Sequence, residues 1–334
     1  MYRWQRHTAG MDDDIFDWLA GQAIITECLG VLKSGKEATV YRCTGYSPPA
    51  AYADSTGAGD DCAPVAGVAD ALVAGTMAEP HSGAPATGAV SSTTTTYVAV
   101  KIYKDIERRS FRDMGGYLDG RLEHTVLKRR DRLHIMSDPG SLQAYWVDTE
   151  FGALTELYRR GLPVPRPLAR NGRAIAMELV CATDDRYPAS GYEAFEGQAD
   201  PGQAAPRLRE FSPDAAQAVA LHAELMLAVE GMLAADMIHG DLSAYNVLVR
   251  DGHAVIIDLP QVIDARYHSQ PLAMLERDMV NIRTFFRRWG MGDEDQSRQL
   301  ARDLWRRYED RELYRDIPPA GAVSGGDDVP MWYL

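Results

Sequence analysis

HGDLSAYNVLVRDGHAVIIDLP, residues 239–260, decides how the rest of the chain is read. With two residues before it and three after, the segment from Met237 to Ile263 has short apolar runs, MIHGDLSAYNVLV and HAVIIDLP, broken by Asp, Asn and Gly, which predict two short strands flanking loops. Any one aspartate in such a stretch reads first as an ordinary turn carboxylate. Here three features stand in order: His239-x-Asp241, then Asn246, then the apolar run Val255-Ile256-Ile257 ending in Asp258. The interval from Asp241 to Asn246 lets the carboxylate face an attacking hydroxyl while the amide oxygen turns back toward a metal. A carboxylate ending an apolar strand is placed to bridge phosphates through magnesium. His239 is expected to hold this loop by hydrogen bonds rather than to act as a base.

Phosphoryl transfer from ATP needs phosphate positioning, charge neutralisation by metal, an aligned hydroxyl and a group to accept its proton. Asp241 is therefore the expected catalytic Asp, with Asn246 and Asp258 on Mg2+ or Mn2+. Lys101 sits in the strand-like YVAVKIY (97–103), and a lysine on an interior strand needs an anion nearby. Glu150 is the obvious partner, on a helix predicted over 141–160 from Trp146, Glu150, Leu154 and Leu157 at three- and four-residue steps, with Gly161 as its stop. On its own Glu150 reads equally as a helix-surface glutamate. Upstream, ECLGVLKSGKEATVYRC (27–43) alternates around a Gly-bearing turn and predicts strand, tight turn, strand. It is neither a G-x-G-x-x-G loop nor a Walker motif, yet within this constellation Ser34, Gly35 and Lys36 are expected to cover the triphosphate through N–H groups and an ammonium. Met177-Glu178-Leu179-Val180 ends the last strand of the first half, where a connector offers backbone groups to an adenine edge; a plain strand end is the equal alternative. Val40, Ala99 and Leu248 complete the expected nucleotide-binding set.

Ser212-Pro213-Asp214 predicts an N-cap, an N1 proline and an acidic first turn for a long helix reaching about Asp236, and helices are expected again over 272–312. Residues 47–96 are dominated by Ala, Gly, Ser, Thr, Pro and Asp and predict a disordered insertion within a hairpin connection. The fold expected is α+β and bilobal, protein-kinase-like: a small antiparallel-sheet N-lobe with one main helix, and a mainly helical C-lobe. The organisation expected is an N-terminal extension (1–25), N-lobe (26–180), C-lobe (181–316) and tail (317–334).

With 46% hydrophobic and 25% charged residues the chain can bury a full core. It shows no run of about 18 apolar residues and no secretory leader pattern, so no membrane partner and a cytoplasmic location are expected. Cys28, Cys43, Cys62 and Cys181 have no metal-ligand spacing. A net charge of −13 repels polyanions unless cations are segregated. They are segregated once, from Arg108 to Arg132, which reads as a solvated loop or as a docking surface for an acidic partner or phosphorylated RNA.

KSGKEATVY, VAVKIYK, WVDTEFGALTELYRRGLPVPRP, AIAMELV, IHGDLSAYNVLV, VIIDLPQ and ERDMVNIRTFF resemble, in that order, segments of the RIO family of atypical serine/threonine protein kinases. SGKEATVY in place of a glycine-rich loop, and Ser243 where ordinary kinases carry Lys, are the most discriminating. The resemblance implies Ser34 and Lys36 at the phosphates, Lys101 paired with Glu150, Glu178 and Val180 at the adenine, Asp241 as catalytic Asp, and Asn246 and Asp258 on the metal. It implies an ATP- and magnesium-dependent kinase that autophosphorylates, with Ser110, Thr125 and Ser137 as nearby acceptors, or an ATPase switch in which Asp258 itself takes the phosphate. Asp258-Leu-Pro-Gln261 is not DFG and no APE triplet follows, which agrees with a family that lacks an activation loop. A short segment before Gly30 disfavours the family's winged-helix branch. Ribosome or RNA association follows only from the resemblance. Two other readings stand beside it: a small-molecule phosphotransferase of the aminoglycoside/choline kinase type, which shares HGDxxxxN, and a nucleotide-binding scaffold.

Overall fold

Two strands, β1 (Ile25–Ser34) and β2 (Ala38–Gly45), pair antiparallel from Ile25↔Gly45 to Ser34↔Thr39. The computed structural model describes residues 12–45, 96–104, 138–182 and 202–313. All of these except Thr96 belong to one unit. Outside the described residues lie the expected insertion apart from Thr96, the basic interval with Ser110, Thr125 and Ser137, and the tail from 317.

With β3 (Thr96–Tyr103), β4 (Pro167–Asn171) and β5 (Ala174–Glu178) the hairpin forms a five-stranded sheet of order β1-β2-β3-β5-β4. Alternation along β3 decides the geometry of the cleft. Val98, Val100 and Ile102 leave one face and are buried beneath a helix, while Ala99, Lys101 and Tyr103 leave the other. The covering helix, α1 (Asp13–Gly21), falls in the stretch expected to be an extension. It is too short to persist alone; burial of Ile15, Phe16 and Leu19, and the bonds from Tyr41 and Arg173 to the adjoining Asp12, hold it in place. β4 was likewise unexpected, because the proline run hides it. Pro167 opens the strand, and β4 lies at the sheet edge, where a missing N–H costs no ladder bond.

Helix α2 (Pro139–Arg159) starts earlier than periodicity suggests, because Asp138 accepts from the Ser141 N–H at 2.7 Å and Pro139 opens the first turn. It ends before Gly161, whose φ of +75° suits glycine. Val147 packs with Tyr103 and Ile175 in the sheet lobe, whereas Ala153, Leu154 and Leu157 join the core of the helical lobe. Glu150 thus sits at the junction of the two lobes. Trp146, expected on the same face, is only half-buried and lines a cavity of about 330 Å³ on another side of α2.

The helical lobe is built on α3 (Ala215–Ala234), with α4 (Pro271–Phe286) and α5 (Glu294–Glu309) against it. By length and composition α3 is apolar enough to cross a membrane, but Leu221, Leu225, Met226 and Leu233 are buried in the core. Each such side chain stabilises the fold by about 1.5–3 kcal/mol. Its cap is Asp214, not Ser212: Asp214 accepts from the Gln217 N–H at 2.8 Å and Gln217 returns the bond at 3.0 Å. Such a reciprocal box satisfies two end groups at once, which Ser212 two residues earlier does not do. Between α3 and α4 run four short strands rather than two: β6 (Met237–Ile238) pairs with β9 (Ile263–Asp264), and β7 (Val247–Arg250) with β8 (His253–Ile256). A sheet lobe with a main helix above a helical lobe is the α+β arrangement expected.

Candidate active site

Lys101 is 8% exposed and donates to both oxygens of Glu150, at 2.7 and 3.0 Å, and to Asp258 Oδ1 at 2.7 Å. The Tyr103 hydroxyl also donates to Glu150, and its ring lies 4.9 Å from the ammonium. Burial works against the charge on Lys101, but Glu150, Tyr103 and Asp258 outweigh it and raise its pKa well above the ordinary lysine value. Burial likewise pushes the Asp258 carboxyl up, and Lys101, His239 and Lys33 more than reverse this, holding it below the usual range. Asp258 has φ +69°, a left-handed conformation that costs a non-glycine residue about 1–3 kcal/mol and is found where function constrains the backbone.

The loop after β6 is held from three sides. His239 is buried, its Nδ1 accepting from the Asp241 N–H at 3.3 Å, so that the other ring nitrogen donates to the Ile257 carbonyl at 3.2 Å. Burial keeps its pKa below the ordinary value, and this neutral tautomer ties the Asp241 loop to the segment leading into Asp258. Asp278 of α4, only 2% exposed, accepts from the N–H groups of Gly240 at 2.7 Å and Leu242 at 3.2 Å; burial pushes its pKa up to about 7 despite these two donors. Arg277 donates to the Gly240 carbonyl. A Cβ on Gly240 would come within 2.3 Å of the Gln261 carbonyl oxygen, so this close approach admits only glycine. Asp241 is exposed, and Asn246 Nδ2 donates to its carbonyl at 2.9 Å and to its Oδ2 at 3.2 Å. With the amide nitrogen so engaged, Asn246 Oδ1 is turned away from Asp241.

The hairpin departs from expectation. The Gly35 N–H is used within the turn, donating to the Ala38 carbonyl at 2.9 Å, and is therefore not free for a phosphate. Lys104 pins the turn from beneath, donating to the Gly35 carbonyl at 2.6 Å and to Ser34 Oγ at 3.3 Å, which also bonds Thr39. Lys36 is exposed. Lys33, which the sequence reading passed over, is the hairpin cation that senses the site: partial burial and then Arg207 lower its pKa, while Asp258 and Glu210 act the other way. Its only advance signal was its position beside the turn. Asp278 was also missed, because a lone aspartate in a helical pattern looks like surface.

At the adenine end Ala99 opposes Met177 in the β3–β5 register, Val40 on β2 is half-buried, and Leu248 packs with Val180, Ala205 and Val255. The Val180 carbonyl accepts from Ala205 at 2.8 Å, and its N–H has no partner among the described residues. The Glu178 carboxylate is taken by Arg250 and the Arg166 N–H, and its own N–H donates to the Arg166 carbonyl at 2.8 Å, so only its carbonyl can face a base.

Among the described residues no group of three or more His, Cys, Asp or Glu is assembled for a metal. Asn246 and Asp258 provide two oxygen donors, which fits a hard cation such as Mg2+ that draws its remaining ligands from phosphates and water.

A strand-borne lysine gripped by a helix glutamate, above a loop Asp–Asn pair and a strand-end Asp, defines a protein-kinase-like fold. A model of the RIO domain matches residues 88–300, more than half of the sequence, and the chain belongs to that family. The hairpin with SGKEATVY precedes the matched range. The RIO-type serine/threonine-protein kinase Rio1 of Haloferax volcanii is 34% identical over 195 residues, 58% of this chain and 56% of that protein. Rio1 of Methanocaldococcus jannaschii is 31% identical over 202 residues, 58% and 56%. Serine/threonine-protein kinase RIO1 of Caenorhabditis elegans is 28% identical over 197 residues, 58% of this chain and 33% of that protein. The chain thus spans between a third and about half the length of these relatives. Two crystal structures of Rio2 kinase from Chaetomium thermophilum, one an ADP/Mg2+-phosphoaspartate complex, are similar at 17% and 18% identity, with TM-scores of 0.45 and 0.43. They cover 85% and 88% of this chain and 64% and 69% of their own.

Proposed function

We propose that the protein is an ATP- and magnesium-dependent phosphotransferase that moves the γ-phosphoryl group to a serine or threonine hydroxyl, its own chain included. The observation that carries this reading is the convergence at Lys101: one ammonium lies 2.7 Å from Glu150 and 2.7 Å from Asp258, residues 49 and 157 positions away. Glu150 holds the ammonium where a phosphate oxygen can take the place of Asp258. Asn246 and Asp258 are the residues that would hold the metal, which when bound neutralises charge on the triphosphate. Asp241, steered by the Asn246 amide, accepts the proton of the attacking hydroxyl as its oxygen bonds to phosphorus and ADP departs. Val180 N–H and the Glu178 carbonyl are the groups offered to the adenine edge, with Val40, Ala99, Met177 and Leu248 as its apolar surround. Lys33 and Lys36 are the cations for the phosphate tail, with the Ser34 hydroxyl between them in the chain.

The named relatives are serine/threonine-protein kinases, which supports a hydroxyl acceptor over a small cationic one. The test is incubation of purified protein with labelled ATP and Mg2+, followed by phosphosite mapping under conditions that preserve acyl phosphates. Label on Ser or Thr is expected, and label confined to an aspartate would replace the kinase reading with an ATPase switch. Asp241→Ala is expected to lower incorporation by about 10²–10⁴-fold with nucleotide affinity largely kept. Undiminished labelling would remove Asp241 from the chemistry.

A further inference from the structure

Cys28 on β1 and Cys43 on β2 are direct partners in the hairpin register. Opposed residues of antiparallel strands have Cα atoms about 4.5–5.5 Å apart, inside the span of about 4.4–6.8 Å that a disulfide bridges. Their side chains leave the same face of the sheet. Here that face is the one beneath α1: Cys43 is fully buried in its apolar cluster, and Cys28 packs against the same cluster while keeping partial access to solvent. The register shifts between Cys28 and Gly30, and Gly30 has φ +132°, so the strand has a bulge that lets local twist adjust beside the pair.

We propose that Cys28 and Cys43 are a reversible redox couple, oxidised by a peroxide to a cross-strand disulfide that staples the hairpin bearing Lys33 and the Ser34–Lys36 turn. Two buried cysteines in a core are ordinarily inert small hydrophobes. These two differ in being register partners, and in that one is fully buried while the other keeps access to solvent.

The inequality divides the roles. Cys28 keeps access to solvent, and so to a peroxide, on the side of the hairpin that α1 leaves open to it. Cys43 is fully buried and can be reached only through Cys28. Cys28 is thus the attacking sulfur and Cys43 the resolving one. In the first step the Cys28 thiolate takes one oxygen of hydrogen peroxide, the O–O bond breaks, and the departing hydroxide picks up a proton to leave as water. In the second, the Cys43 sulfur gives up its proton and attacks the Cys28 sulfenic sulfur. The S–O bond breaks, the S–S bond forms, and a second water leaves. Two thiols are oxidised and one peroxide is reduced to two waters. The bond closes a loop that contains the whole turn, so the oxidised hairpin has less freedom to lift from the cleft.

The decisive experiment uses the full chain and needs no variant. Protein treated with hydrogen peroxide is digested without reductant and analysed by mass spectrometry. A Cys28–Cys43 cross-linked peptide, short of two hydrogens and released by dithiothreitol, is expected. If both thiols remain fully open to alkylation, or if Cys28 is found joined to Cys62, Cys181 or a second chain in preference to Cys43, the couple is refuted. In Cys43→Ser, Cys28 should persist as a sulfenic acid captured by dimedone; failure of capture in a folded variant would overturn its role as the attacking sulfur. Hydrogen exchange over residues 25–45 should slow in the oxidised protein and recover on reduction. Unchanged exchange would overturn the stapling of the hairpin.

Discussion

Lys101 holds two carboxylates at 2.7 Å, one more than its charge requires. Such over-pairing adds little to stability alone, since burying Lys101 and Glu150 is costly and Asp258 stays exposed. It suits a site in which one carboxylate is displaced when phosphates arrive. In Glu150→Gln the ammonium keeps Asp258 but loses its fixed buried anion. A loss of about 1–3 kcal/mol in denaturant unfolding is expected, along with weaker nucleotide binding. An unchanged midpoint together with unchanged ATP affinity would show that Glu150 does not position the lysine. At this scale the sequence was most informative where chemistry is carried by rare residue types at set intervals. Asp241, Asn246 and Asp258 were legible for that reason, and Lys101 because an interior strand lysine demands a partner. Asp278 and Lys33 were not, because a helix aspartate and a hairpin lysine are commonplace until a neighbour is known.

Between elements, the packing of α3 on α4 contains a histidine that nothing in the catalytic loop uses. His222 is fully buried, its Nε2 accepting from Arg283 Nε at 3.1 Å and its ring lying edge-on to Phe286. Burial first, and then the Arg283 charge, push its pKa from 6.5 to about 4. Because the folded value lies below the unfolded one, the stability it contributes is full above pH 6.5 and is lost progressively as pH falls toward 4. Relative to His222→Gln, which can still accept from Arg283, the natural protein is expected to lose about 3 kcal/mol over that window. Equal acid sensitivity of the two proteins in thermal melts would show that His222 is not held neutral. Element boundaries show the same interplay of local and distant causes. The start of α2 and the cap of α3 follow from Asp138 and from the Asp214–Gln217 box, both local. By contrast α1 and β4 exist through contacts made elsewhere, α1 by burying Ile15, Phe16 and Leu19, and β4 by completing an edge behind a proline run.

For the whole molecule, the cleft joins parts of the chain whose stability nucleotide binding should raise together. At Mg2+–ATP about 100-fold above its dissociation constant, unfolding is expected to be harder by about 2.7 kcal/mol. In Asp258→Ala the magnesium-dependent share of that gain should vanish while any metal-free increment remains. If the variant and the natural protein responded identically to magnesium, Asp258 would not be a metal ligand. The sequence by itself determined the candidate chemistry of residues 239–260 and the strand character of the apolar runs there, though not the short β6–β9 pair, because spacing along the chain and residue type are local quantities. Tertiary structure alone decided that β3 turns Lys101 toward α2, that α2 straddles both cores and so suspends Glu150 between them, and that the Gly35 N–H is consumed by its own turn. These depend on which face each strand buries and on what lies opposite, and the partners of Lys101 lie 49 and 157 residues further along the chain.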